Sequence, residues 1–247
     1  MRRIVNRLKG YIDYVLIFTD WYKVVFPLNK FFRGPQCMNL RNGTQVHIRD
    51  SRSKDLSAIR EVLGHNDYHL EKIALPPSPR IVDIGANIGT FSMTAHHSYP
   101  DAHIYAFEPH PDNFELLKKN APFLTARQAA ITATTGTVEF EAHGSPIGLR
   151  VKKGGGLYVD SLSLDDALAS LPHIQILKLD VEGSEFDILG STSNMTFNKI
   201  QKIFVEVHPT EQYPSLQEGK NWIEHALTLH GFKTMWMKKA VIFGLKD

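Results

Sequence analysis

The sequence predicts an α/β fold: a seven-stranded, mostly parallel sheet that ends in an antiparallel C-terminal hairpin and is preceded by a helical and hairpin extension. Three observations carry that prediction. Arg80 to Phe91 is a short apolar run (Ile81, Val82, Ile84) that meets Gly85 and Gly89 and then resumes at Ile88 and Phe91 with helical spacing, the pattern of a buried strand, a tight turn and a helix start. A second strand, His103 to Phe107, stops at Glu108. Ile174 to Asp180 is a near-continuous apolar run of the kind buried on both faces of a parallel sheet, and Ile203 to His208 repeats it before a final helix and hairpin.

Composition agrees. With 247 residues, 43% hydrophobic and 22% charged, the chain matches an ordinary globular protein and buries a full core without staples. A single cysteine, Cys37, excludes an intrachain disulfide and agrees with a reducing, cytoplasmic setting. The net charge of +2 is uneven: residues 1–33 carry seven bases against Asp13 and Asp20, a local +5 that leaves −3 for the remainder. No basic stripe with interleaved aromatics matches a nucleic-acid-binding module, so a nucleic-acid partner is not expected.

Taken in order, residues 1–36 set Ile4, Val5, Leu8, Ile12, Val15, Leu16 and Trp21 at helical spacing among the bases. Asp13 and Asp20 bracket the apolar run and no small-residue cleavage site follows, which excludes a secretory signal. The uninterrupted stretch Tyr14 to Thr19 is too short to span a bilayer. Two readings remain: helices that pack on the domain or on the mate of a homodimer, or an interfacial helix that makes a cytoplasmic protein peripheral at an anionic membrane.

Residues 37–79 form an accessory segment. Met38 to Arg49 reads as a hairpin about Asn42-Gly43. Ser53 or Asp55 is expected to cap a helix through Leu56, Ile59, Val62 and Leu63 that stops at Gly64. His65 and His69 have the spacing of helical metal ligands, but Gly64 and Asn66 break the helix and no third ligand is evident, so zinc is not expected. Pro76-Pro77-Ser78-Pro79 is a stiff connector to the main domain, residues 80–247.

Within that domain, Asn113 to Asn120 reads as a helix, and Thr125 to Ala130 and Thr137 to Phe140 as strands. Gly144 to Gly156 reads as a glycine-rich loop in which Arg150, Lys152 or Lys153 either grips a substrate or is simply solvated. Ser163 is expected to cap a helix from Leu164, and Gly219 to His230 forms the last helix. Phe232 to Met237 and Ala240 to Leu245 should pair antiparallel about Lys238-Lys239. The Asn194-Met195-Thr196 sequon is expected to go unused in a cytosolic protein.

The chemistry gathers at strand ends. Glycines at 85 and 89 let backbone approach a ligand, helix-start amides favour an anionic group, and Glu108 stands where a carboxylate can hold both ribose hydroxyls. A dinucleotide fingerprint needs glycine where Asn87 and Thr90 stand, and no lysine follows Gly89 as a triphosphate loop requires. A ribose, a carboxylate and no phosphate describe S-adenosylmethionine, with Asp83 placed to hold its ammonium.

Asp83-Ile84-Gly85-Ala86-Asn87-Ile88-Gly89, Phe107-Glu108-Pro109-His110-Pro111-Asp112-Asn113, Leu177-Lys178-Leu179-Asp180-Val181-Glu182-Gly183-Ser184-Glu185 and Val205-Glu206-Val207-His208 resemble, in order, the motifs of the FkbM-type methyltransferase family. The resemblance implies a class I methyltransferase with a Rossmann-like fold, S-adenosylmethionine as cofactor, and O-methylation of a sugar, glycan or secondary-metabolite hydroxyl. It assigns cofactor binding to Asp83, Gly85, Ala86, Asn87, Gly89, Glu108, Pro109 and Asp180, places Gln128 and Ala129 near the adenine, and makes Tyr68 a lid at the pocket mouth.

An alcohol needs its proton removed or its developing charge stabilised. Asp180, Glu182, Glu185, Glu206 and His208 are the strand-end groups available. His208 is the first choice for base, because an imidazole titrates near working pH and a neighbouring carboxylate can orient it; Asp180 and Glu206 stand beside it. Asp180, Glu206 and His208 also occupy positions where catechol-type methyltransferases hold magnesium, but the family resemblance requires no metal and none is assigned. Two rivals are a nicotinamide-dependent oxidoreductase, against which Asn87 and Thr90 count, and a non-catalytic S-adenosylmethionine-binding module, against which the acidic cluster counts.

Overall fold

The computed structural model describes residues 2–25, 28–51, 53–141, 156–237 and 240–246. The loop stretch with Arg150, Lys152 and Lys153, and the Lys238-Lys239 turn, lie outside the described residues.

The extension comprises α1 (Arg2–Ile17), a hairpin of β1 (Gln36–Asn39) and β2 (Gln45–Ile48), and α2 (Asp55–Ile59), which runs on as a π-turn over Arg60–Gly64. The expected side-chain cap on α2 is absent: Ser53 meets the helix start only through its carbonyl, which accepts the Leu56 amide at 3.4 Å. Asp55 is instead fully buried in an ion pair with Arg49 and accepts the Arg49 amide at 2.9 Å. A buried carboxylate must be paired, and that demand outweighs a cap.

The main domain continues with β3 (Arg80–Ile84), α3 (Thr90–Ser98), β4 (His103–Phe107), α4 (Pro111–Asn120) and β5 (Thr125–Arg127). A side sheet follows, made of β6 (Ala130–Thr132), β7 (Gly136–Glu141) and β8 (Gly156–Ser163), then α5 (Leu164–Ala167). The chain returns through β9 (Ile176–Leu179), α6 (Glu185–Ser191), α7 (Asn194–Lys199), β10 (Lys202–Glu206), α8 (Leu216–Leu229), β11 (Lys233–Trp236) and β12 (Val241–Leu245).

The large sheet has the order β11-β12-β10-β9-β3-β4-β5. Only β12 runs against its neighbours; the pairs β10–β9, β9–β3, β3–β4 and β4–β5 are parallel. The order reverses between β3 and β9, so the ligand crevice of an open α/β sheet falls at the C-terminal tips of these two strands.

Each face of the sheet buries its own set. Val82, Ile84, Leu177 and Leu179 meet Phe186 and Ile188 of α6 and Ile223 and Leu227 of α8, while Ile81, Ile104, Ile176 and Phe204 meet Tyr68 and Phe91. The extension shares the core: Phe18, Met38, Val46, Ile48 and Ile59 cluster with Ile88, Met93 and Leu117.

Two boundaries differ from expectation for local reasons. The strand expected over Thr125 to Ala130 splits, because the Ala129 amide turns back onto the Arg127 carbonyl at 3.1 Å and Ala130 leaves to pair with Ser161 of β8. The last helix starts at Leu216, before Gly219, because Ser215 and Glu218 form a reciprocal capping box. Ser163 caps α5 by accepting from the Asp166 amide.

Candidate active site

The turn after β3 is shaped by left-handed residues at Gly85 (φ +73°), Asn87 (+51°) and Gly89 (+92°). Gly85 is required twice over, since a Cβ there would lie 1.7 Å from the Asp180 carbonyl oxygen. The glycine turn and the tip of β9 are therefore in direct backbone contact, reinforced by the Asp180 amide on the Ile84 carbonyl at 3.1 Å. Gly85→Ala is expected to push the two tips apart and cost about 2–4 kcal/mol of stability, measured as a lower denaturant midpoint.

Most of the turn's amides are used inside the protein. Gly85 and Ala86 both donate to the Phe107 carbonyl at 3.0 Å, and Gly89 donates to Ala86 at 2.8 Å. The Asn87 amide donates to Glu108 at 2.8 Å. A ligand anion is left with the first turn of α3, whose leading N–H groups have no acceptor within the helix.

Glu108, only 4% exposed, sits at the tip of β4. Its Oε1 accepts from the His110 amide (2.9 Å) and Asn113 Nδ2 (3.0 Å), and Oε2 accepts from Asn87. Three of about four acceptor positions of the carboxylate are filled, leaving one on Oε2. Burial pushes its pKa up to about 7, against the three hydrogen bonds and Lys178, which pull it down. Pro109 follows half-buried, and the Glu108 amide donates to Arg127 at 3.3 Å. That bond brings the bend at Gln128 and Ala129 alongside; Gln128 is exposed and Ala129 is buried.

Two of the expected site residues lie deeper than their sequence positions suggest. Asp83 is fully buried, with Oδ2 accepting from Ser92 Oγ at 2.7 Å and Oδ1 3.3 Å from Lys178 Nζ. Enclosed in this way, it anchors a lysine. Tyr68, expected at the pocket mouth, is 5% exposed and packs edge-on against Phe91 and Phe204, so in this structure it is part of the core. Burial raises its hydroxyl pKa well above the usual value.

Lys178 is the residue that sequence reading missed. Its Nζ donates to the Gly85 carbonyl at 2.7 Å and lies 3.3 Å from Asp83 and 3.2 Å from Asp180. Burial alone would lower its pKa, but Asp180 and Asp83 hold it well above the ordinary value. A cation inside an apolar strand must be paired, and that lone charge in Ile176 to Leu179 was the available signal.

At the cleft itself, His208 Nδ1 is 2.7 Å from Oε1 of fully buried Glu185, while Nε2 faces Glu182 at 3.6 Å and Asp180 at 3.9 Å. Burial would lower the imidazole pKa, yet the Glu185 hydrogen bond and the charges of Asp180, Glu185 and Glu182 hold it at about 9. These partners favour the protonated imidazole, where the sequence suggested a base that titrates near neutrality. Glu206 is the group poised at neutrality: burial, then Asp180, push it up to about 7, against His208 and Lys178.

The residues fit a sulfonium nucleoside. Asn87 Oδ1 is buried in the turn without a partner among the described residues, Glu108 keeps an acceptor position, and the cleft floor is rich in carboxylates. A reversed strand in an otherwise parallel seven-stranded sheet, with a glycine turn and an acid on adjacent tips, defines the class I S-adenosylmethionine-dependent methyltransferase arrangement. Residues 83–237 match the model of the methyltransferase FkbM domain, and the chain belongs to that family.

Among relatives, it is 30% identical over 152 residues to the hexuronic acid methyltransferase AglP of Haloferax volcanii, covering 56% of this chain and 61% of that one. The chain thus spans under two thirds of that relative's length. It is 28% identical to methyltransferase sdnD of Sordaria araneosa (60% of this chain, 72% of that one) and 24% identical to the 31-O-demethyl-FK506 methyltransferase FkbM of Streptomyces tacrolimicus (71% and 83%).

Proposed function

We propose that this chain transfers a methyl group from S-adenosylmethionine to a hydroxyl oxygen of a sugar, a glycan or a related secondary metabolite. One observation carries the reading: the glycine turn abuts the backbone of Asp180, so donor turn and titratable cluster share one cleft. Two relatives support the acceptor class, one named for a hexuronic acid and one for an O-methyl position.

In this reading Glu108 and Asn87 hold the nucleoside, with Pro109, Gln128 and Ala129 beside the base, and Asp180 takes over the ammonium contact first expected of Asp83. The bound cofactor supplies an electrophilic methyl on a cationic sulfur. Lys178 fixes Asp180 relative to the turn, which sets the in-line geometry from which positioning catalysis derives. The hydroxyl proton passes to the carboxylate cluster, where Glu206 titrates at neutrality, and the His208 cation stabilises the charge developing on the acceptor oxygen.

The pH dependence follows with a definite sign. Activity requires Glu206 ionised and His208 protonated, so kcat/KM should rise through about 7 and fall through about 9, as apparent values of a coupled set. Glu206→Gln should remove the acidic limb and His208→Asn the alkaline one.

A metal-assisted route rests on Asp180, Glu182 and His208, each with one ligand atom within 4.8 Å of the others. A cation there would have to displace the His208 proton and neutralise the group that this reading uses. The test of the whole proposal is incubation with methyl-labelled S-adenosylmethionine and fractionated sugar, glycan and small-molecule pools, with and without exhaustive chelation. Label in a hydroxyl-bearing fraction, unchanged by chelation, is expected; labelling that needs added metal favours the second route, and no labelled fraction overturns the first.

A further inference from the structure

We propose that α1 is a membrane-docking helix that seats the protein on an anionic lipid surface. The inference is independent of the acceptor class proposed above.

The helix has two unlike faces. On its inner face Gly10 is buried, the Ile17 side chain lies over Gly64, and Tyr14 and Ile17 pack against the core that contains fully buried Phe18. Its C-terminal end is fastened to the hairpin: the Arg41 amide donates to Ile17 at 2.9 Å, and Arg41 Nε donates to Val15 at 3.0 Å. Helix position and orientation are thus fixed by the domain. The outer face carries Ile12 and Leu16, one turn apart and 59% and 67% exposed. Beyond α1, Phe31 (71%) and Leu28 are also exposed.

Charge selects the occupant. The segment holding this face is +5 while the rest of the chain is −3. Both of its acids are turned inward: Asp13 lies 3.3 Å from His65 Nε2, and Asp20 is buried on Lys23 and Asn39. Lys23 is the base paired with Asp20. A second copy of this chain would bring the same +5 against itself. An exposed apolar pair on a segment of net charge +5 matches the headgroup boundary of an anionic bilayer, where apolar burial and attraction to lipid charge add. Among the described residues no helix is long and apolar enough to cross a membrane, so the contact is interfacial.

The test is co-sedimentation of the full chain with vesicles of phosphatidylcholine alone or with phosphatidylglycerol at about one third. Binding to the mixed vesicles only is expected. It should weaken at least roughly tenfold in Ile12→Glu/Leu16→Glu, and weaken with added salt. Ile12→Ala/Leu16→Ala, which places no charge on the helix, should show an intermediate loss, and an unchanged thermal midpoint in either variant separates lost docking from lost fold. No sedimentation of the native chain with mixed vesicles overturns the proposal. So does a dimer in size-exclusion chromatography that the same substitutions dissociate without any vesicle binding.

Discussion

Asp180→Asn is expected to lower kcat by about 10²–10⁴ while leaving the fold in place. The carboxylate stands at the meeting point of everything the cleft uses: Lys178 at 3.2 Å, the His208 ring at 3.9 Å, and a backbone pressed against Gly85. An amide of the same shape still accepts from Lys178, so the lysine is not left as a buried unpaired cation, a loss that would cost about 3–5 kcal/mol. What disappears is the negative charge that faces donor and acceptor. Single-turnover rates at saturating donor are the measurement, with the thermal midpoint as control. A rate within about threefold of the parent would remove Asp180 from the reacting centre.

The second large effect is expected from Glu108→Ala. Truncation removes the proposed ribose contact and also takes away the acceptor of the Asn87 amide, the His110 amide and Asn113 Nδ2. Hydrogen bonds to a charged group contribute about 1.5–3 kcal/mol each, so donor affinity should fall about 100-fold and the thermal midpoint should drop as the turn loosens. Glu108→Gln retains an acceptor for one pair of donors and should lie between. Equilibrium dialysis with labelled donor separates the two effects: a lower midpoint with unchanged affinity would make Glu108 a structural support of the turn alone.

Much of the arrangement was legible because it is written locally. The glycine turn, the acid ending β4 and the hairpin of β11 and β12 each depend on a few consecutive residues whose conformational needs are specific. What escaped depends on distance in sequence. Lys178 finds Asp83 across the β3–β9 register, and nothing in a single apolar run reveals that partner. Asp55 had every local mark of a helix cap, yet its pairing with Arg49 made it a core group. Asp83 was legible as an acid at a strand end, but whether it faces ligand or lysine is decided by its neighbour strand.

Tyr68 shows the same limit: a tyrosine between an accessory helix and a proline-rich connector looks like a loop residue until Phe91 and Phe204 close over it. His208 was legible as a candidate and its charge state was not. That state depends on Glu185, Glu182 and Asp180 converging from residues distant in the chain.

The central claim is that the paired tips of β3 and β4 bind a methyl-donating sulfonium nucleoside. Calorimetric titration of the native chain with S-adenosylmethionine, and separately with its demethylated product, tests it most directly. Saturable heat at one site for both ligands, and none for NAD, is the predicted result; no heat with either would contradict the account.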